Sequence, residues 1–232
     1  MSSPDRPTAR EWLLVLRGIV RVMADSNRTV DIHRVAEITS RGRVRTLLEQ
    51  LGANGLPDLL RDRPYLTPQT VDLPALRRLP ADTLGGAYVR HFDRHGLEMY
   101  VDPIPPSQIP DLDVRYLFHR YRQVHDIWHV LLGLGTEGHE EVLVHAFVLG
   151  HLRLPVSMLI VVLGTLKHGV TEGRWDMVRR AVPEAYRLGR DAAPLLTVRW
   201  EHLWAQPLGE VRQRFNIRPC TPAGVPPPPT PA

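Results

Sequence analysis

Apolar residues recur at helical spacing through most of this chain, and nowhere do they alternate as a half-buried strand requires. From Asp111 to Leu132 the residues Leu112, Tyr116, Leu117, Tyr121, Val124 and Trp128 fall on one face of a helix. Asp111 can cap its start and Gly133 ends it. Before it, Pro103, Pro105, Pro106 and Pro110 hold residues 103–110 extended. The same periodicity predicts helices over Glu11–Met23, Val30–Ile38, Val44–Leu51 and residues 82–95, the last opened by Asp82 and Thr83. Further helices are expected from near Glu140 to His151 and from Pro155 to Lys167. Two more cover 174–191, with a break or kink at Pro183, and 195–206. No βαβ rhythm and no internal repeat is present. The fold class is all-α: one compact multi-helix domain over residues 1–218, then a Pro-rich tail, 219–232, expected to be disordered.

Composition removes several functions. The single cysteine, Cys220, cannot form an internal disulfide, so the fold does not depend on an oxidising compartment. The net charge of +4 comes almost entirely from arginine, with Lys167 the one lysine. The arginines are scattered, with no basic block interleaved with aromatics, which argues against nucleic acid. The most apolar stretch, Pro155–Gly164, is about half a membrane span. No secretory signal is visible. These features fit a cytoplasmic protein, at most peripheral to the inner face of a membrane.

The chemistry concentrates at His125-Asp126-Ile127-Trp128-His129, followed after eleven residues by Glu141. Successive helical residues turn by about 100°, so His125 and His129 point the same way one turn apart, with Asp126 on the same flank. The turn Gly133–Gly138 is short enough to pair the flanking helices antiparallel and bring Glu141, or its neighbour Glu140, across. Two imidazoles and carboxylates suit a divalent ion, zinc first, with iron and manganese accepting the same set. An HxxxH pair alone also arises on solvated helix faces. Here Ile127, Trp128, Val130, Leu131 and Leu132 mark a buried element, where polar groups need partners.

Other motifs carry less. Gly133, Gly135 and Gly138 spell G-x-G-x-x-G, but they follow a helix instead of a strand, so they serve the turn and not a dinucleotide. His145, four residues after Glu141, stands where it could support a ligand. It reads more simply as a satisfied core histidine, as do His151 and His168. A helical His-Asp phosphohydrolase would recruit His91, His95 and Asp176 or Asp191, at unconvincing spacing.

The stretch Arg120–Gly133 resembles the signature of the ubiquinone (coenzyme Q) biosynthesis protein 4 family, whose HDxxH, eleven residues, then Glu is matched by His125, Asp126, His129 and Glu141. Leu79–Tyr88, Leu154-Pro155 and the segment Trp200–Pro219 agree with it more loosely, so the resemblance covers roughly residues 30–219. Where the family often has Glu, Pro and Gly, this chain has Gln123, Gly135 and Glu140. The resemblance implies a mostly helical fold, a zinc-like ion held by His125, Asp126, His129 and Glu141, and peripheral membrane contact. It also implies a prenylated quinone precursor or other isoprenoid lipid as ligand and quinone-pathway enzymes as partners, with a homodimer left open. Two functions follow as expectations. One is a lyase that oxidatively decarboxylates a prenylated benzoate at ring carbon one, with Arg120 or Arg122 pairing a carboxylate and Val156–Leu166 lining a groove for the tail. The other is a non-catalytic lipid-binding scaffold with a structural metal.

Overall fold

A computed structural model describes residues 7–24, 29–52, 55–99 and 109–220. The extended connector expected before Asp111 lies mostly outside these residues, as does the tail from residue 221 on. Ten α-helices make up the described chain: α1 (Ala9–Ala24), α2 (Thr29–Leu51), α3 (Leu56–Asp62), α4 (Leu73–Arg77), α5 (Leu84–His95), α6 (Leu112–Leu132), α7 (Gly138–Leu152), α8 (Pro155–Glu172), α9 (Val182–Asp191) and α10 (Leu208–Arg214). Among the described residues no strand forms. Thr83 and Pro207 make an isolated bridge that ties the C-terminal segment to the start of α5.

α6 is the core helix. Val114, Leu117, Val124, Ile127, Trp128 and Leu131 are each 1% exposed or less. The Asp111 carboxylate accepts from the N–H groups of Asp113 and Val114, the cap the sequence predicts. Leu112 departs from expectation: it is exposed at the first residue of the helix, while Val114 carries the burial of that turn. α7 packs mainly against α8 and α9 and meets α6 at the turn that joins them. Gly150 and Gly189 let α7 and α9 touch backbone to backbone. A methyl group on Gly150 would fall on the Tyr186 carbonyl, and one on Gly189 on that of Phe147.

Three expectations are corrected. The two pieces predicted at Val30–Ile38 and Val44–Leu51 are the single helix α2. Its polar midsection is satisfied in place: the Thr39 and Thr46 hydroxyls donate to the Val35 and Gly42 carbonyls, and the Ser40 hydroxyl accepts from Val156 N–H. The helix predicted over 195–206 is only a 3₁₀ turn, Trp200–His202. The segment before it is irregular because it buries Leu195 and Leu196 and spends the Val198 carbonyl on Arg120. At Pro183 the chain does not break. A π-helical turn, Met177–Ala181, precedes the proline, with the Val182 N–H donating to the Met177 carbonyl, and α9 continues.

Ion pairing docks α1 on α2. Both Arg41 guanidinium nitrogens donate to the Glu11 carboxylate, and both side chains are largely buried. The Arg41 hydrogen bonds hold the Glu11 pKa down at about 2. A depressed carboxylate stabilises the fold above its unfolded pKa, and the contribution disappears as pH falls through its folded one. Stability measured against pH should therefore drop between the ordinary glutamate value, 4.5, and about 2. Glu11→Gln should flatten that part of the curve, and an unchanged curve would refute the assignment. The outward face of α1 keeps Trp12, Leu13, Leu16 and Val20 exposed. α8 likewise exposes Met158, Val162, Leu166 and Val170, four residues apart in turn.

Candidate metal centre

α6 supplies His125 and His129, one turn apart near its C-terminal end, and α7 supplies Glu141 from its first turn. The two imidazole Nε2 atoms lie 3.1 Å apart. Glu141 Oε2 lies 3.4 Å from His125 Nε2, and Oε1 lies 3.4 Å from His129 Nε2. A tetrahedral ion with bonds of about 2.1 Å separates its ligands by roughly 3.4 Å, so the three side chains lie close enough to share one ion. Among the described residues this is the one group of three metal-ligating side chains that converge.

The turn between the helices builds the site. Gly133 takes a left-handed conformation (φ 68°), and the N–H groups of Gly133 and Leu134 satisfy the Val130 and His129 carbonyls. Arg212 adds bonds to the Val130 and Leu131 carbonyls. The chain then brings the Gly135 carbonyl to 2.8 Å from His129 Nδ1. A carbonyl only accepts, so His129 carries its proton on Nδ1 and directs the Nε2 lone pair at the site. Glu140 closes the same turn. Its carboxylate accepts from Gly135 N–H at 2.8 Å and Glu137 N–H at 3.2 Å, which removes it as an alternative to Glu141.

Of the four predicted ligands, His125, His129 and Glu141 come together and Asp126 does not. One residue's rotation about the helix axis carries the Asp126 carboxylate off the line that the imidazoles share. Burial raises its pKa, although His125 and His129 lie close enough to oppose the rise. At Glu141 burial pushes the other way from its partners, and hydrogen bonds to the two imidazoles win, holding the carboxyl well below the usual range. His129 is the complement: burial would lower its pKa, and Glu141 raises it instead. Glu141 and His129 thus favour each other's charged forms in the buried centre.

More histidines surround the centre than the motif announced. The His145 ring lies 5.4 Å from that of His125, and its Nδ1 lies 3.2 Å from the Ser157 hydroxyl. Burial, then the neighbouring His125, brings its pKa down to about 3, so it stays neutral. His91, on α5, lies 5.5 Å ring to ring from His129. His95 lies 4.8 Å from His91. The HxxxH spacing of His91 and His95 was visible in the sequence, but nothing there places α5 against the end of α6. Asp176 and Asp191 stay exposed. Arg120 and Arg122, expected to meet a substrate carboxylate, are committed elsewhere. Arg120 bonds to the Pro64 and Val198 carbonyls and to Glu201, and Arg122 to Glu37 and the His33 carbonyl.

A helical domain with two histidines and a glutamate converging across a helix–turn–helix defines a class: all-α proteins with a candidate divalent-metal centre in the core. Comparison with known proteins gives the family. The chain belongs to the family described as coenzyme Q (ubiquinone) biosynthesis protein Coq4, which matches residues 4–221. Among its relatives, the mitochondrial ubiquinone biosynthesis protein COQ4 of Coprinopsis cinerea is 30% identical over 208 residues, covering 88% of this chain and 70% of the relative. The mitochondrial COQ4 homolog 1 of Culex quinquefasciatus is 34% identical over 164 residues, covering 68% of this chain and 56% of the relative. The chain thus spans a little over half of some relatives and most of others. The fold matches the crystal structure of a Nostoc punctiforme protein assigned to ubiquinone biosynthesis, with a TM-score of 0.70 at 22% identity over 88% of this chain and 95% of that one. The Coprinopsis cinerea and Culex quinquefasciatus relatives are mitochondrial by name, unlike the cytoplasmic setting expected from the sequence. Among the described residues no helix is long and apolar enough to cross a membrane.

Proposed function

We propose that this chain binds one divalent ion, zinc first, through His125, His129 and Glu141, and acts there on a prenylated ring intermediate of ubiquinone synthesis. The carrying observation is the convergence of one ligand atom each from His125, His129 and Glu141 within 4.8 Å of one another, with the His129 ring oriented by the Gly135 carbonyl at its Nδ1. Three protein ligands leave a position open, the pattern of catalytic and not of closed structural sites. The proposed reaction is loss of the ring-carbon-one carboxyl group as carbon dioxide and its replacement by a hydroxyl, a two-electron oxidation for which dioxygen is the oxidant. A bound ion would supply Lewis-acid stabilisation of the developing charge, and iron or manganese, which accept the same ligands, would also supply the redox chemistry that zinc lacks. The protein's part is to orient the ring's phenolate or carboxylate and to keep water out. His145, Tyr121 and Ser157 line up behind His125 as a neutral, buried network for that purpose.

A second reading, a lipid-presenting scaffold, is favoured by the exposed apolar rows on α1 and α8, which offer surface to a prenyl tail, a bilayer or a pathway enzyme. Metal analysis, thermal melting with and without chelator, and a turnover assay on a prenylated hydroxybenzoate separate the two. The enzyme reading expects near-stoichiometric metal, a melting temperature that chelation lowers by only a few degrees, and turnover that chelation abolishes. A chelated protein that unfolds, beside a loaded protein with no turnover, would leave the scaffold standing.

A further inference from the structure

We infer that His91 is a ligand-binding residue of the metal centre, donating a hydrogen bond from Nε2 to an anionic oxygen of the ring substrate. The inference rests on the metal reading above and extends it to a residue outside the HDxxH–Glu motif.

α5 packs against α6 and sets the His91 ring between those of His129 and His95. The other imidazoles here have assigned work. His129 is fixed by Gly135, His145 is engaged with Ser157, and His95 Nδ1 lies 3.2 Å from the Thr136 hydroxyl. His91 differs. It is only 9% exposed, and its Nε2 is fully buried with no hydrogen-bond partner among the described residues. A buried polar atom without a partner costs about 1–3 kcal/mol, so one that persists calls for a partner that arrives later. Packing does not require a nitrogen at this position, since its neighbours Tyr88, Val89 and Phe92 are buried hydrophobics.

His91 is not one of the three converging ligand atoms, so its nitrogen serves what the ion holds and not the ion itself. Buried between the imidazoles of His129 and His95, the ring is disfavoured as a further cation and donates as a neutral N–H. A divalent ion beside the one carboxylate of Glu141 leaves the centre net positive, so it draws ligands with anionic oxygens. A neutral N–H aimed at such an oxygen adds direction without adding charge. An aromatic acid carrying phenolate or carboxylate oxygens is the ligand class this fits.

The test uses the full chain loaded with zinc and 4-hydroxybenzoate as a soluble probe, read by calorimetry, metal analysis and thermal melting. In His91→Phe the metal content should be unchanged and the apo melting temperature equal or higher, because an unsatisfied polar atom has gone. Probe affinity should fall about tenfold. His91→Gln, which keeps an N–H donor, should recover most of that loss. A histidine present only for packing would give the opposite pattern, with stability lost and affinity kept. Unaltered probe affinity in metal-loaded His91→Phe overturns this inference alone, as does loss of the metal from that variant or a loaded wild type that ignores the probe. A wild-type chain that takes up no zinc overturns the metal reading, and this inference with it.

Discussion

His129→Ala should leave the protein folded but without its metal. The side chain is 1% exposed and both ring nitrogens have partners, so truncation has two separate effects. On the ligand side, a site of three becomes a site of two. Loss of a supporting residue behind a ligand already costs about 10–100-fold in metal affinity, and loss of a ligand should exceed that. On the stability side, the Gly135 carbonyl loses its donor, at about 1–3 kcal/mol, and a small cavity opens in the core. Asp126→Asn is the internal control. Because Asp126 stands outside the converging atoms, its loss should cost no more than the roughly 10–100-fold of a supporting residue. Chelator competition and metal analysis on both variants decide the matter. Stoichiometric zinc in His129→Ala, or an Asp126→Asn as depleted as His129→Ala, would mean that the ligand set is drawn wrongly.

The parts of this site that the sequence revealed are those governed by a single helix. The His125–His129 spacing, the Asp111 cap and the Gly133 stop depend only on local geometry, and all are present. What depends on neighbouring elements was hidden. His91 and His95 display their helical spacing openly, yet only the docking of α5 on α6 brings them to the ion site. The choice between Glu140 and Glu141 was open in the sequence because both lie just past the turn. The structure engages Glu140 in the turn through Gly135 and sets Glu141 beside the imidazoles. A side chain at position 135 would strike the Glu140 carboxylate, and a proline would remove the N–H that this carboxylate accepts from. Glycine at 135 and glutamate at 140 thus fit each other in this turn, which leaves Glu141 facing the imidazoles. The same limit explains α2, where hydroxyl-to-carbonyl bonds and packing on three helices overrode a polar midsection that looked like a break.

Arg120 carries the largest stability effect expected in this protein. The sequence places it one turn before the metal motif, where it looks like a substrate clamp, but its side chain is wholly buried. One terminal nitrogen donates to the Pro64 carbonyl at 3.2 Å, and the other to the Val198 carbonyl and to Glu201, both at 2.8 Å. It thereby ties α6 to two irregular segments that have few backbone bonds of their own. An exposed pair of this kind would contribute less than about 1 kcal/mol. A buried one behaves differently: removing one partner strands the other charge and costs about 3–5 kcal/mol. Arg120→Met should therefore lower the urea midpoint by that equivalent. Adding Glu201→Leu should restore part of it, since an apolar pair can replace a buried ion pair at little net cost. The metal should remain bound, because Arg120 lies about 7.5 Å along the helix axis from His125, the nearer proposed ligand, and its side chain bonds to Pro64, Val198 and Glu201 instead of to the site. If Arg120→Met instead melted like the wild type and lost only turnover, Arg120 would have to be reassigned from the core to the substrate.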